Sequence, residues 1–309
     1  IQRPSADTVA AGWGDLSWLF HQPALYIAAI PVLGIAADIV PVMARTPQKL
    51  TAVTQGAIGA FGLLSFGAWI QGLDSTQRGA TETALWVVFG VAAGIPLLAL
   101  LAGLADNLRR GRPQAASPLA FAVVAMSLLL LAALTGALAA ISTAGKGNLF
   151  ETLELAPVAG MSTGQYFLVI GAVVAGALGG LFYWGPKIWG GALPENAGRG
   201  LAPLVLLAGV LYGVSHVVLG LIVPDGDGYR AFAGISAAGA LLLAIAVLAG
   251  LGASFAAARF ASSGPRDPWG GHTLEWSVAS PPPADNFDAP PVVESAAPLF
   301  VADHEKDAN

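Results

Sequence analysis

Four histidines are the side chains in this sequence best suited to binding a metal ion. They are His21, His216, His272 and His304. No two of them are three or four residues apart, so no pair shares one face of a helix, whereas a metal site needs ligands that converge. The sequence contains no cysteine, which excludes disulfides, iron–sulfur clusters and thiolate copper sites within it. We therefore expect no metal site built from these histidines.

One acid, Asp38, lies inside the apolar stretch of residues 35–39. An ionisable group at membrane depth is by default a candidate for proton or ion transfer. The plainer interpretation, which we favour, is an acid near a helix end that is paired or reaches water.

The other polar groups within apolar stretches have structural explanations. Asp106 precedes Arg109 and Arg110 at helical spacing, which predicts an ion pair at a helix end. Four uncharged residues are candidates for buried polar contacts: Tyr26, Gln71, Gln165 and Tyr166. Such side chains more often form hydrogen bonds between helices than take part in catalysis.

The composition of the chain is that of a membrane protein. Of its 309 residues, 55% are hydrophobic and only 11% are charged, and the mean hydropathy is +0.69. Soluble domains carry about 25% charged residues, so most of the surface is expected to face lipid. No basic stripe is present, and we expect no nucleic-acid partner.

The pattern of apolar stretches predicts an all-α bundle of about seven transmembrane helices. The stretches are 19–43, 50–72, 83–105, 117–141, 161–185, 201–223 and 231–258, each near the length of about 20 residues that a bilayer requires. We divide the chain into an N-terminal extramembrane segment (1–18), the transmembrane domain (19–261) and a proline-rich tail (262–309). The tail is expected to be extended and to lie on the face of the bundle.

The basic residues predict the orientation of the bundle. Nine of them fall at one end and four at the other, namely Arg45, Lys49, Arg109, Arg110, Arg112, Lys187, Arg199, Arg259 and Arg266 against Arg3, Arg78, Lys146 and Arg230. Basic loops stay in the cytoplasm. We therefore expect a bacterial-type inner membrane protein with its C-terminus in the cytoplasm.

Three motifs carry a resemblance to a known family. The tail contains Asp267-Pro268-Trp269, then Thr273-Leu274-Glu275-Trp276, then Ser280-Pro281-Pro282-Pro283 and Asn286-Phe287. Residues 179–187 read Gly-Gly-Leu-Phe-Tyr-Trp-Gly-Pro-Lys, and residues 18–27 read Trp-Leu-Phe-His-Gln-Pro-Ala-Leu-Tyr-Ile. In this order and spacing they resemble heme–copper (cytochrome c) oxidase subunit I, helices six to twelve of twelve. The resemblance implies oxygen reduction coupled to proton pumping, two hemes, copper and magnesium.

The positions that bind copper and carry protons in that family hold other residues here. By the resemblance, Gln22 stands where a copper-binding histidine is expected and Ala24 where a proton-carrying glutamate is expected. Gln71 and Gly72 stand where two further copper-binding histidines are expected, and Pro96 falls where a lysine lines a proton path.

The heme and magnesium positions also differ from the family. The two heme-binding histidines and the residue between them align with Gly164, Gln165 and Tyr166, and the magnesium-binding pair aligns with Ala156 and Pro157. The arginine pair that holds heme propionates aligns with the run Pro224-Asp225-Gly226. Gly, Ala and Pro have no ligating side chain, and Gln is a poor substitute for imidazole. We therefore expect no catalytic, cofactor-binding or metal-binding residue in this chain, with Tyr166 the position where a heme ligand is most conceivable.

Three functional hypotheses follow. The first is a non-catalytic, subunit I-like protein that sits among other subunits of a respiratory oxidase and serves assembly, packing or lipid contact. The second is one piece of a split or truncated subunit I whose first helices come from a partner chain. The third is a transporter or small-molecule binder that uses the emptied heme space, with Asp38 and Tyr166 as candidate residues.

A space the size of a heme cannot stay empty in a close-packed interior. Residues 171–180 are nearly all small, which permits close helix approach. We therefore predict that the helices approach one another along this segment, and that Tyr166 and Phe167 fill part of the former heme volume.

Overall fold

The computed structural model describes residues 6–65, 80–142, 158–220, 226–260, 267–287, 291–293 and 295–300. Their side chains are described from residue 23 onward, except at positions 80, 82, 83, 86, 141, 142, 158–160 and 260. Eight α-helices account for most of these residues. They are α1 (Ala6–Met43), α2 (Thr51–Leu64), α3 (Ala80–Ala92), α4 (Gly94–Arg110), α5 (Ser117–Ser142), α6 (Val158–Trp189), α7 (Glu195–Leu219) and α8 (Asp227–Phe260). The part of the chain described here holds no strand, as the expected fold class requires.

Six membrane spans are present among the described residues, within α1, α3–α4, α5, α6, α7 and α8. The predicted all-α membrane bundle is therefore confirmed. Of the second predicted span, 50–72, only the first part, up to residue 65, falls among the described residues. There it forms α2, an apolar helix of 14 residues.

The span made by α3 and α4 is interrupted at Ala93 because of Pro96. Proline has no backbone N–H, so it cannot donate to the carbonyl four residues earlier, and its ring crowds that carbonyl. The carbonyl concerned is that of Ala92, the last residue of α3. Ala93 and Gly94, at the interruption, line a cavity inside the bundle.

The centre of the bundle is α6, which contacts α1, α5, α7 and α8. In an apolar 18-residue window of its membrane span, 61% of the residues are buried, compared with 22% in the corresponding window of α8. Helix α8 packs mainly on α7 and otherwise presents apolar side chains such as Leu241, Leu248 and Phe255 outward. The outer surface of α8 is therefore suited to lipid or to another subunit.

One end of the bundle joins the C-terminal ends of α1, α4, α6 and α8 to the starts of α5 and α7. Two backbone hydrogen bonds pair the segment after α4 with the end of α1: Arg112 N–H donates to Ala44 O and Gln114 N–H donates to Met43 O, both at 2.8 Å. The predicted ion pairs of Asp106 with Arg110 and Arg109 lie at this same end, at 2.7 and 3.5 Å, and are confirmed.

A carboxylate fastens α7 to α5 at this end. The backbone N–H and the hydroxyl of Ser117, the first residue of α5, donate to the two carboxylate oxygens of Glu195, each at 2.7 Å. Arg199 donates to the same carboxylate at 3.2 Å and to Ala115 O at 3.0 Å. Because the first N–H groups of a helix lack partners within it, Glu195 caps α5 from a neighbouring helix.

The tail packs onto the same end of the bundle. Its short 3₁₀ helix, Leu274–Ser277, places Trp276 against Tyr183 of α6 with ring centroids 5.2 Å apart, and Trp276 is only 2% exposed. The Lys187 ammonium donates to Val278 O at 2.8 Å, and Trp269 Nε1 donates to Tyr183 O at 2.9 Å. The tail motif is thus joined to α6 by both apolar packing and hydrogen bonds.

Candidate functional site

The start of α6 carries three consecutive residues, Gly164, Gln165 and Tyr166, at the positions where the resemblance expects the heme-ligand motif. Successive residues of a helix point in different directions, about 100° apart. Gly164 faces α7, Gln165 faces α5, and Tyr166 lies by the aromatic residues of α6 and α7. The three residues therefore do not converge on one point.

Gly164 lies in backbone contact with α7. A Cβ atom at this position would lie 2.8 Å from both Gly213 O and Val217 N, and 2.5 Å from Val217 Cγ2. Real Cβ atoms do not approach backbone atoms so closely, and backbone cannot move aside as a flexible side chain does. No side chain fits here without moving the helices, and a ligand could not lie between α6 and α7 next to Gly164.

Gln165 lies flat on Gly136 of α5, where an added Cβ would overlap the carboxamide nitrogen. Beside it is a cavity of about 90 Å³ between α1, α2, α3–α4, α5 and α6. Its polar lining groups are Tyr26, Ser162 and Gln165, and Phe61 contributes its ring, 5.3 Å from that of Tyr26. An apolar cavity of about 150 Å³ takes a benzene, so this one accepts several waters or a short apolar chain and is too small for a macrocycle.

Aromatic side chains fill the space between α6, α7 and α8. Phe167 stacks on Tyr212 with centroids 3.9 Å apart and meets the edge of His216 at 4.6 Å. His216 Nδ1 shares a 2.8 Å hydrogen bond with the Ser236 hydroxyl, which donates to Tyr212 O at 3.0 Å. One nitrogen of His216 is therefore engaged by Ser236 and its ring edge is covered by Phe167.

The glycines of the second half of α6 lie close to other helices. An added Cβ on Gly171 would lie 3.1 Å from the Cα of Gly209 in α7, and one on Gly176 would lie 2.9 Å from Val32 in α1. One on Gly179 would lie 3.0 Å from Phe121 in α5. The predicted close approach along 171–180 is confirmed.

Asp38 is exposed on α1, five residues before the helix ends at Met43. Its carboxylate lies near enough to Glu275 of the tail to interact with it electrostatically. Asp38 is therefore far along the bundle from Tyr166, and the structure does not bring these two candidate residues together.

Several other positions named in the sequence analysis lie outside the part of the chain that the structure describes. Those outside the described residues or side chains are His21, Gln22, Gln71, Gly72, Ala156, Pro157, Pro224, Asp225 and His304. Within the described part of the chain, no three His, Asp or Glu side chains lie together as a metal site requires. The donors at the start of α6 and the packing of Gly164 and Phe167 do not fit a heme between α6 and its neighbours.

Sequence reasoning missed two features of this region. The aromatic cluster depends on Phe167, Tyr212, His216 and Ser236, which come from three helices. The signal that could have found it is the i, i+4 spacing of Tyr212 and His216 on one face of α7. The docking of Trp276 on Tyr183 also joins distant segments, and no local pattern signals it.

Comparison with known proteins gives consistent results. A family model described as cytochrome c and quinol oxidase polypeptide I matches residues 7–152. Cytochrome c oxidase subunit 1 of Bacillus subtilis is 28% identical over 299 residues, which cover 94% of this chain and 47% of that protein. The probable quinol oxidase subunit 1 of Staphylococcus aureus is 30% identical over 311 residues, covering 92% of this chain and 44% of that protein.

A third relative is a fused protein. The heme-copper oxidase subunit I+III of Aeropyrum pernix is 26% identical over 291 residues, which cover 91% of this chain and 34% of that protein. The chain therefore spans about half the length, or less, of the curated relatives it matches.

Proposed function

We propose that this chain, which belongs to the cytochrome c and quinol oxidase polypeptide I family, is a non-catalytic membrane subunit of a respiratory electron-transfer complex. The observation that carries the proposal is the contact of Gly164 with the backbone of α7. With Phe167 stacked on Tyr212 beside it, protein atoms occupy the space next to the heme-ligand positions.

The chemistry of the residues supports the same conclusion. Oxygen reduction in this family needs imidazole ligands for two hemes and copper, and the aligned positions in α6 hold Gly164, Gln165 and Tyr166. Ala24 and Pro96 stand at positions where the family moves protons, and neither side chain can carry one. A scaffold with these substitutions keeps the helix packing of the family without its redox chemistry.

The role that remains is structural. The outward apolar surface of α8 is available to lipid or to other subunits of an oxidase, including a chain that supplies further helices. The nine-to-four distribution of basic residues supports an orientation with the tail in the cytoplasm of a bacterial-type cell.

The decisive experiment is isolation of the chain from its native membrane, followed by heme and copper analysis of the complex and of the separated chain. We expect an intact oxidase to co-purify, with all heme and copper assigned to its other subunits. Stoichiometric heme or copper on the separated chain would overturn the proposal and favour a piece of a split catalytic subunit.

The orientation is tested with single cysteines, since the chain has none of its own. Ala279→Cys places a thiol on the exposed part of the tail, and Gly228→Cys places one at the other end of the bundle. A membrane-impermeant maleimide should label position 228 in intact spheroplasts and position 279 only in inverted vesicles. The opposite pattern would reverse the assignment.

A second candidate function, binding of a small apolar molecule, is favoured by the cavity beside Gln165. The Gln165 amide makes no hydrogen bond within the described residues, so it is available to orient a ligand. This candidate predicts a ligand that co-purifies with the chain in the absence of any oxidase subunit. Lipid and small-molecule analysis of the same preparation distinguishes the two.

A further inference from the structure

A second cavity, of about 220 Å³, lies where the tail covers the end of α1 and the connection between α4 and α5. Its lining includes Arg45, Gln114, Trp269, Gly270, His272 and Phe300. It is separate from the cavity beside Gln165, and no residue lines both. Its lining combines a guanidinium, a carboxamide, an imidazole and two aromatic rings.

The residue that carries the guanidinium has an unusual backbone conformation. Arg45 has φ +53°, in the left-handed region that residues other than glycine seldom adopt. Its N–H donates to Val42 O at 2.9 Å, and the preceding carbonyl, that of Ala44, accepts from Arg112 N–H. The described residues form three ion pairs, and Arg45 belongs to none of them. An exposed charge on such a backbone, with no ion-pair partner among the described residues, suggests a ligand.

Gln114 supplies a second unmatched group. Its Oε1 atom is buried and accepts no hydrogen bond in the structure. Its backbone N–H donates to Met43 O, which ties the segment to the end of α1, and Gln114 lines the same cavity as Arg45. A buried acceptor calls for a donor, and a ligand that carries both an anionic group and a hydroxyl would satisfy Arg45 and Gln114 together.

The rest of the lining is rigid. The indole of Trp269 is fixed by its bond to Tyr183 O. His272 is only 6% exposed, its ring meets that of Phe300 at 4.9 Å, and its carbonyl accepts from Leu299 N–H. These contacts keep the cavity in one shape before a ligand arrives.

Asp267, which directly precedes the lining residues 268–270, is already engaged. Asp267 accepts from the N–H groups of Trp269 and Gly270 at 3.0 Å and from that of Gly271 at 2.6 Å. Its charge is therefore directed toward the backbone of the tail. Arg112, two residues before Gln114, is exposed and belongs to none of the three ion pairs of the described residues either, which adds a positive charge to this segment.

The position of the cavity relative to the membrane indicates where an anionic ligand would come from. The span in α1 ends at Met43, two residues before Arg45, and the span in α5 begins at Ser117, three residues after Gln114. The cavity thus lies at the level of the lipid headgroups, where basic pockets attract anionic lipids. We propose that it binds the phosphodiester headgroup of a hydroxyl-bearing anionic phospholipid, with Arg45 on the phosphate and Gln114 Oε1 on a headgroup hydroxyl.

The test is native mass spectrometry of the full chain released from nanodiscs that contain equal amounts of phosphatidylglycerol and phosphatidylcholine. We expect the chain to retain phosphatidylglycerol preferentially. Arg45→Asn removes the charge with a residue that tolerates positive φ, and should reduce this retention about fivefold. The matched control, Lys49→Asn, removes an exposed cation that does not line the cavity and should change it by less than about twofold.

A second variant tests the hydroxyl separately. Gln114→Leu should abolish the preference for phosphatidylglycerol over phosphatidylmethanol, which has the same charge but no headgroup hydroxyl, while both lipids still bind. Equal retention of phosphatidylcholine, or no effect of Arg45→Asn, would overturn the proposal. Displacement of the lipid by millimolar inorganic phosphate would overturn the lipid assignment and indicate a site for a free oxyanion.

Discussion

The ring of Phe167 lies parallel to that of Tyr212, with centroids 3.9 Å apart and planes inclined by only 10°. The pair joins α6 to α7 one turn from the place where Gly164 meets the α7 backbone. At the interface of α6 and α7, a stacked pair of aromatic rings thus lies next to a close contact made by a glycine. The contact at Gly164 brings the helices together, and the stack fills the space that opens beside it.

Loss of the Phe167 ring should weaken this interface. Phe167→Ala is expected to reduce the free energy of unfolding by about 3 kcal/mol, because it leaves a cavity beside Tyr212 and His216. The control is Phe255→Ala on α8, where the ring is 69% exposed and a change within about 0.5 kcal/mol is expected. Unfolding by sodium dodecyl sulfate in mixed micelles gives both values. Equal effects of the two variants would show that the cluster is not part of the stabilising core.

Adding a methyl group at Gly164 should push α6 and α7 apart. Gly164→Ala places its Cβ against Gly213 O and Val217 N and should cost about 1–3 kcal/mol of stability. Gly200→Ala on α7 meets no atom within 4 Å, and should gain up to about 1 kcal/mol because alanine favours helix over glycine. The sign of the difference, measured by thermal unfolding in one detergent, is the test. A Gly164→Ala variant as stable as the parent would contradict the packing described for the heme-ligand position.

Substitutions of Gln165 distinguish a structural role of this residue from a role in binding a ligand. Since its amide has no hydrogen-bond partner within the described residues, Gln165→Leu should raise stability by up to about 1 kcal/mol. Gln165→Ala enlarges the cavity beside Gly136 and should lower it by about 2 kcal/mol. If Gln165→Leu instead caused the loss of a co-purifying molecule, the small-molecule function would be favoured over the structural one.

Lys187 should hold the tail on the bundle. Lys187→Met removes its bonds to Val278 O, at 2.8 Å, and Ala279 O, at 3.4 Å, together with its position 5.4 Å above the Trp276 ring. Hydrogen bonds to charged groups contribute about 1.5–3 kcal/mol each, so the tail amides of residues 274–279 should exchange with deuterium at least about tenfold faster. Lys49→Met, at an exposed lysine of the same end, should leave this exchange unchanged. Identical protection in both variants would show that the aromatic contacts alone hold the tail.

The sequence predicts the membrane helices and the tight half of α6 because both depend on composition within one segment. Apolar length alone defines the spans, and the small residues at 171, 176 and 179 allow the contacts that the structure shows. The ion pairs of Asp106 were predictable for the same reason, since their partners lie three and four residues away. These are properties of one helix or of one face of it.

The features that escaped prediction join segments distant in the chain. Tyr212 and His216 come 45 and 49 residues after Phe167, so only the packing of α6 on α7 brings them together. Asp38 looked like an acid inside the membrane, and its proximity to Glu275 depends on how the tail folds back over α1. The interruption before Gly94 follows from Pro96, but the cavity that Gly94 lines depends on small residues of α5.

The attachment of the tail to the bundle also depends on how the last two helices insert into the membrane. The tail follows all the described helices, yet the surface it binds is made by α1, the α4–α5 connection and the end of α6. These surfaces lie on the same side of the membrane as the tail when α7 and α8 cross it as a pair. A chain in which only one of the two helices inserts would place Trp269 and Trp276 on the opposite side from Tyr183, which both of them contact. Docking of the tail therefore depends on the paired insertion of α7 and α8.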